Sequence, residues 1–186
     1  DDSDSLHILI APSWGDQGTI ESGVGEKIVD QLLERKYRVT LRPHPQTIKF
    51  HWDRVEAIVR KHTQNPRFDY EDNVVGQGSL HSSDMMISDW SGAALDYAFG
   101  LKKPVMFIDV PRKINNSEYR KVILEPIEAD IRDKIGIIVP LDFRILPIAE
   151  CLQVDIDDVD IEAFVYNAGK SHISGARYLG DLLADV

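Results

Sequence analysis

The stretch that decides the fold is residues 85–101, MMISDWSGAALDYAFGL, in which a short apolar run passes through a polar turn into a helical pattern. Met85–Ser88 has the length and character of a buried strand. Ser91–Leu101 is rich in small residues, and the predicted helix ends near Gly100. A strand joined directly to a helix is half of the repeating unit of a parallel sheet. This stretch therefore predicts a strand, a tight turn and a helix.

The same alternation continues on both sides of this stretch. Four further apolar runs predict strands, namely Leu6–Ala11, Tyr37–Leu41, Pro104–Val110 and Ile135–Val139. Apolar residues at helical spacing predict helices at Ser22–Arg35 and Trp52–Lys61. Strands that alternate with helices predict an α/β fold, a Rossmann-like three-layer α/β/α domain with a mostly parallel sheet.

A helical tail is expected after this domain. The predicted tail helices are Ile145–Leu152, Ile161–Val165 and Arg177–Leu183. Residues 1–5 are interpreted as a disordered or vector-derived start, and residues 6–150 as the Rossmann-like domain. Residues 151–186 are interpreted as an acidic loop and helices that pack on the same domain. Because the chain starts at Asp1 and not at Met, we expect it to be a piece of a longer protein.

The net charge of −10 over 186 residues disfavours nucleic acid as a partner. The acidity is concentrated at the ends, since residues 1–4 hold three acids and residues 151–186 hold seven acids against two bases. Residues 5–150 have a net charge of only −2, so a cleft in this part can still accept one diphosphate. The single Cys151 excludes an internal disulfide, and no apolar run is long enough to span a bilayer. We expect no membrane insertion by this chain.

Candidate ligand-binding residues follow the predicted strands, because ligands of open parallel sheets bind beyond the carboxyl ends of the strands. Ser13 and Trp14 follow the first strand, residues 88–92 follow the third, and Asp109 follows the fourth. Ser91 and Gly92 begin a helix whose first backbone N–H groups could hold a phosphate. The alternative is that Asp89 or Ser91 caps the helix and the small residues permit close packing.

His44 follows the second strand, between Pro43 and Pro45. An imidazole on such a stiff backbone could donate to a diphosphate oxygen or stabilise charge on a departing nucleotide, although a lone histidine can also be purely structural. Arg42 could add a cationic contact, but its side chain is expected on the opposite face of the strand. Asp96, in the helix after Ser91, could reach ribose hydroxyls or could be an exposed helical acid. No histidine pair has metal-ligand spacing, so no metal and no cofactor is predicted.

Three motifs in order carry a resemblance to a known family. They are IAPSW (Ile10–Trp14), LRPHP (Leu41–Pro45) and SDMMISDWSG (Ser83–Gly92), the last continuing through Asp96 to KPVMF at Lys103–Phe107. A weaker match is YNAGKS at Tyr166–Ser171. From about Ile8 to Asp109 the chain resembles the carboxyl-terminal, donor-binding half of the CDP-glycerol glycerophosphotransferases, GT-B-fold enzymes of teichoic-acid and capsule-type polymer synthesis.

The resemblance implies a transferase that moves glycerol phosphate from CDP-glycerol to a cell-surface polymer and releases CMP. It implies that His44 contacts the donor diphosphate, that Ser91 with the helix start holds a phosphate, and that Asp96 approaches the ribose. We predict His44 as the catalytic residue. The predicted nucleotide or diphosphate contacts are Ser13, Trp14, Arg42, His44, Ser88, Asp89, Ser91, Gly92 and Asp96.

The resemblance also implies a preceding acceptor-binding half that is absent from these 186 residues. We therefore expect the chain alone to bind nucleotide weakly and to catalyse nothing. The full-length protein is expected in the cytoplasm or at the inner face of the membrane. Two other interpretations stay open: a GT-B glycosyltransferase or UDP-sugar 2-epimerase-like domain that uses a nucleotide sugar, and a non-catalytic Rossmann-like binding module.

Overall fold

Six parallel strands form one sheet in the computed structural model of the chain. The strands are β1 (His7–Ile10), β2 (Arg38–Leu41), β3 (Phe68–Tyr70), β4 (Met85–Ser88), β5 (Val105–Ile108) and β6 (Gly136–Val139). Their order across the sheet is β3-β2-β1-β4-β5-β6, and every neighbouring pair is parallel. This is the doubly wound order whose direction reverses between β1 and β4. The predicted Rossmann-like α/β fold is confirmed.

The helices of the described residues are α1 (Val24–Glu34), α2 (Pro45–Phe50), α3 (Trp52–His62), α4 (Gly78–Ser82), α5 (Gly92–Leu101), α6 (Ile127–Asp130), α7 (Ile148–Cys151) and α8 (Ser171–Ala184), with 3-10 turns at Tyr119–Lys121 and Ile161–Ala163. Helices α1 to α6 lie between the strands along the chain, and α7 and α8 follow the last strand.

The structure describes residues 5–73, 75–112, 114, 116, 118–121, 123, 125–165, 167 and 169–184. The predictions for residues 1–4, and for residues 166 and 168 of the weak motif, lie outside the described residues.

The predicted elements differ from the observed ones mainly at the edges of the sheet and in the tail. The edge strand β3 was not predicted, because its three residues are too few to show a period. Helix α7 is shorter than the predicted Ile145–Leu152, since Pro147 directly precedes its first residue. A 3-10 turn at Ile161–Ala163 replaces the predicted helix Ile161–Val165, and α8 begins at Ser171, six residues before the predicted Arg177.

The central strands form the middle of the core. All four residues of β1, β4 and β5 are buried. Because successive side chains of a strand point to opposite faces, the sheet is covered on both faces. Strand β6 begins at Gly136, where an added Cβ would overlap the carbonyl oxygen of Val105. The close pairing of β5 and β6 therefore requires glycine at this position.

The chain divides into two compact units, Asp1–Ile156 and Asp157–Val186. The first unit contains the sheet. The second contains α8, on which Ile173, Leu179 and Leu182 are exposed. Among the described residues, no helix has both the length and the apolar character to cross a membrane.

Candidate functional site

A cleft of about 420 Å³ lies where the carboxyl ends of β1, β2 and β4 meet. Ile10 pairs with Leu41 on one side and with Ile87 on the other, so the segments that follow these three strands are neighbours. The cleft is lined by His44 after β2 and by Ser91 and Asp96 at the start of α5. The structure thus brings these three predicted site residues together with a fourth, Arg42, at the point where the strand order reverses, which is where such sheets bind ligands.

The start of α5 is capped and open. Ser91 is the N-cap residue, with φ −95° and ψ 132°, and its hydroxyl accepts a hydrogen bond of 3.3 Å from the Ala93 N–H. An added Cβ on Gly92 would meet no atom within 4 Å, so the space around this first helical residue is open. Asp96 is exposed in the second turn of the helix. The alternative interpretation from sequence, a Ser91 cap followed by small residues, is therefore present. An anion could still approach the first N–H groups of this helix.

His44 is fixed by an unusual N-cap. Its Nδ1 accepts a hydrogen bond of 3.1 Å from the Gln46 N–H at the start of α2, where Pro45 occupies the first turn. Because Nδ1 is the acceptor, the neutral ring carries its proton on Nε2. The ring also stacks on Trp14, with centroids 6.1 Å apart and planes inclined by 27°. The two contacts orient an imidazole that can donate a hydrogen bond through Nε2.

Arg42 lines the same cleft as His44 and not an opposite face. Both residues lie beyond Leu41, the last residue of β2, so the alternation of a strand does not apply to them. The Nη1 atom of Arg42 donates to the Gly76 carbonyl at 2.9 Å and to the Ser79 hydroxyl at 3.2 Å, and it lies 3.3 Å from the Glu71 carboxylate. The guanidinium thereby ties the segment after β3 to the rim of the cleft.

Ser88 and Asp89 are buried behind the cleft. The Ser88 hydroxyl donates to the Ala11 carbonyl at 2.8 Å. The Asp89 carboxylate, 1% exposed, accepts from the Ser13 N–H at 2.6 Å, from the Thr19 N–H at 3.2 Å and from the Thr19 hydroxyl at 2.8 Å. These bonds shape the loop after β1, which presents Trp14.

Glu21 is a buried acid that the sequence analysis missed. Its Oε1 accepts a hydrogen bond of 2.6 Å from the Thr47 hydroxyl of α2, and its Oε2 has no hydrogen-bond partner among the described residues. An added Cβ on Gly18 would overlap this Oε2. Glu21 therefore joins the loop after β1 to the short helix that His44 caps. An acid inside a glycine-rich loop is not by itself a recognisable signal.

The sequence analysis also missed an aromatic wall at Trp90, which lies on the β5 side of Trp14. The Trp90 indole donates to the Val110 carbonyl at 2.9 Å, and the buried Arg132 guanidinium lies 4.0 Å from the ring centroid. Arg132 is paired with Asp109 at 3.3 Å. Burial lowers the pKa of Arg132 from its usual value, and Asp109 opposes this shift. Arg112 follows Trp90 along this wall, with its guanidinium 5.7 Å from the ring centroid.

The described residues contain no group of three or more His, Cys, Asp or Glu side chains that could hold a metal ion.

Comparison with known protein families gives one match that covers most of the chain. Residues 2–129 match the family CDP-Glycerol:Poly(glycerophosphate) glycerophosphotransferase. The chain belongs to this family. The match confirms the family predicted from the three motifs, and it extends beyond the predicted limit at Asp109. It does not include the weak motif at 166–171.

A solved structure with a similar fold is the UDP-GlcNAc 2-epimerase of Methanocaldococcus jannaschii, determined in complex with UDP-GlcNAc and UDP. The two are 15% identical, with a TM-score of 0.46 over 75% of this chain. The chain spans about a third (36%) of the length of that protein. A search of curated proteins gave no match.

Proposed function

We propose that this chain is the donor-binding domain of a glycerophosphotransferase and that its donor is CDP-glycerol. The observation that carries the proposal is the convergence of His44, Ser91 and Asp96 on one cleft at the switch point of the sheet. Family membership supports a nucleotide-activated glycerol phosphate as the ligand. The activity of the whole enzyme toward a cell-surface polymer is part of the proposal.

The cleft offers a suitable partner for each part of a nucleotide diphosphate. The phosphates bind over the start of α5, where the helix dipole and the first N–H groups favour an anion. Asp96, further along the helix, accepts hydrogen bonds from the ribose hydroxyls. Val75, Gln77 and Leu80 line the remaining side and contact the base.

His44 has the geometry of an electrophilic group for the transfer. An acceptor hydroxyl oxygen forms a bond to the phosphorus that carries glycerol, while the bond from that phosphorus to the bridging oxygen breaks. CMP leaves with the electron pair, and the hydroxyl proton passes to a base. The Nε2–H of His44 donates to the phosphate oxygens and stabilises the charge that develops on CMP.

Ser88 and Asp89 act in this proposal as positioning residues and not as contacts of the ligand. Their polar groups are used inside the protein, where they hold Ala11, Ser13 and Thr19. Trp14, supported by this loop, in turn packs against His44. The buried bonds therefore fix the position of an exposed functional ring.

Calorimetric titration of the chain with CMP, UDP and GDP tests the proposal. We expect CMP to bind, and we expect His44→Ala, Ser91→Ala and Asp96→Asn each to weaken binding by about 1 to 3 kcal/mol, as for hydrogen bonds to charged groups. His62→Ala is the matched control, because His62 pairs with Asp30 at 2.9 Å, outside the cleft.

Three outcomes would contradict the proposal in different ways. Binding of UDP or GDP without a response to CMP would indicate a nucleotide-sugar enzyme. Nucleotide affinities that are unchanged in all three variants would indicate a non-catalytic module with a site elsewhere. Product formed from CDP-glycerol by the chain alone would show that it is not limited to donor binding.

A further inference from the structure

A groove lies beside the cleft that His44, Ser91 and Asp96 line, which is called the nucleotide cleft below after its proposed ligand. The groove consists of two adjoining cavities of about 320 and 330 Å³, which share Ser13, Trp14, Trp90 and Arg112 in their walls. We propose that this groove binds a polyol phosphate, with the carbon chain against the two indole rings and the phosphate on Arg112. The proposal rests on the proposed function, because that function supplies the class of ligand.

Trp90 gives the groove a rigid aromatic wall. Its indole N–H is bound to the Val110 carbonyl at 2.9 Å, and the Arg132 side chain, which is 4% exposed, lies 4.0 Å from the ring centroid. Hydrogen bonding and packing thus fix the ring before any ligand arrives. A fixed ring binds an apolar surface at little cost in conformational entropy.

Trp14 gives the second aromatic wall and borders the nucleotide cleft. It is 36% exposed, and its ring stacks on His44, which lines that cleft. Pro12 lines the nucleotide cleft and the next residue, Ser13, lines the groove. The nucleotide cleft and the groove therefore adjoin at Trp14.

Arg112 supplies the charge that a phosphate requires. Its side chain is 31% exposed and lies 3.1 Å from the Glu125 carboxylate, which is 70% exposed. An exposed ion pair of this kind is weak, so a phosphate can replace Glu125. The planar guanidinium can then form two parallel hydrogen bonds to phosphate oxygens.

A glycerol phosphate unit fits this combination of surfaces. Its carbon chain offers C–H groups to the indole rings, its hydroxyls face water in an open groove, and its phosphate meets Arg112. In the family reaction the same unit occurs twice, once on the donor and once at the end of the acceptor polymer. The groove is thus a polyol phosphate subsite for the terminal unit of the acceptor, because the phosphate of the donor unit is held at the start of α5 in the proposed function.

The three tryptophans make the proposal testable by NMR of the indole N–H groups. We expect glycerol 3-phosphate, added up to about 20 mM, to shift the Trp14 and Trp90 signals with saturation. Trp52 is an internal reference, because it lies edge-on to Tyr70 of β3. Arg112→Gln should weaken binding at least about tenfold. Arg38→Gln, which also removes an exposed arginine paired with an acid, at 3.4 Å, should not change it.

Saturation with CDP-glycerol separates the two sources. If the acceptor unit occupies the groove, glycerol 3-phosphate still shifts Trp90 when CDP-glycerol is bound. If CDP-glycerol itself shifts Trp90 and abolishes the response to glycerol 3-phosphate, the glycerol of the donor occupies the groove and the assignment to the acceptor unit is wrong. CMP alone should leave that response intact in both cases.

Absence of a saturable Trp90 shift, or an affinity that is equal in the native chain and in Arg112→Gln, would overturn the inference. Titration with CMP in the same samples distinguishes the two failures. With CMP bound normally, the groove assignment alone is wrong. With no CMP binding, the proposed function fails as well.

Discussion

The Asp89 carboxylate lies 2.6 Å from the backbone nitrogen of Ser13, so the residue after β4 holds the residue that starts the loop after β1. These two strands are neighbours at the centre of the sheet, where the strand order reverses. One buried side chain thereby fixes the relative position of two loops that line both the cleft at Ser91 and the groove at Trp14 and Trp90.

Asp89→Asn should destabilise the chain. The carboxylate accepts three hydrogen bonds with both of its oxygens, and an amide nitrogen in place of one oxygen cannot accept. We expect the free energy of unfolding to fall by about 2 kcal/mol, because at least one buried donor loses its partner. Urea denaturation measures this change.

Asp96→Asn is the control for this measurement, since Asp96 is an exposed acid of α5. Its urea midpoint should remain close to that of the native chain, while its nucleotide affinity falls. Equal stabilities of the two variants would refute the role given to Asp89.

Thr47→Val should loosen the support of His44. The Thr47 hydroxyl donates to buried Glu21 at 2.6 Å, and valine has a similar volume without the donor. We expect a loss of about 1 to 3 kcal/mol in unfolding free energy, because the buried carboxylate then lacks this partner. Thr63→Val, at an exposed position after α3, should change the urea midpoint little; a similar loss in both variants would indicate a general effect of valine.

His7 should make stability depend on pH in the acidic range. Burial lowers its pKa below the ordinary value of about 6.5, and its ring bonds Thr40 at 2.8 Å. Below pH 6.5 the unfolded chain takes up a proton that the folded chain resists, so the unfolding free energy falls as pH decreases from 6.5 toward the folded pKa.

Urea denaturation at pH 7.5 and 5.5 checks this expectation. His7→Gln should reduce the difference in stability between the two pH values, whereas His172→Gln, on the exposed surface of α8, should preserve it. An undiminished difference in His7→Gln would assign the pH dependence to other groups.

Cys151 should be inert in the folded chain. It is fully buried, and burial raises the pKa of its thiol to about 12. Because the thiolate is the reactive form, we expect no reaction with a disulfide reagent at pH 8 until urea unfolds the domain. Rapid labelling of the native chain would show that the region around α7 opens readily.

The sequence predicted the centre of the fold better than its edges. Strands such as Met85–Ser88 are continuous apolar runs because both of their faces are buried, and this pattern is visible without tertiary information. Edge strand β3 is short and only partly buried, so it has no such pattern. Pro45 is consistent with the end of β2. The helix α2 that begins there was not predictable, because its N-cap is His44 and histidine is seldom an N-cap residue.

The candidate site was predictable to the extent that it follows from topology. His44 and Ser91 lie at strand ends that a doubly wound sheet must bring together. The groove at Trp90 and Arg112 depends on a connection between β5 and β6 that has no periodic pattern, and on Arg132, which is distant in sequence. To predict that Ser88 and Asp89 are buried, one must likewise know the position of the loop to which they are hydrogen-bonded.

The hydrogen bonds that Ser13 donates to Asp89 and that Gln46 donates to His44 also bear on the rate of ligand binding. These bonds hold two segments beside the proposed nucleotide cleft, so we expect nucleotide to bind without prior ordering of these segments. In stopped-flow experiments the observed rate should then rise linearly with nucleotide concentration. Discrimination between nucleotides would reside in how long each one stays bound and not in how fast it enters.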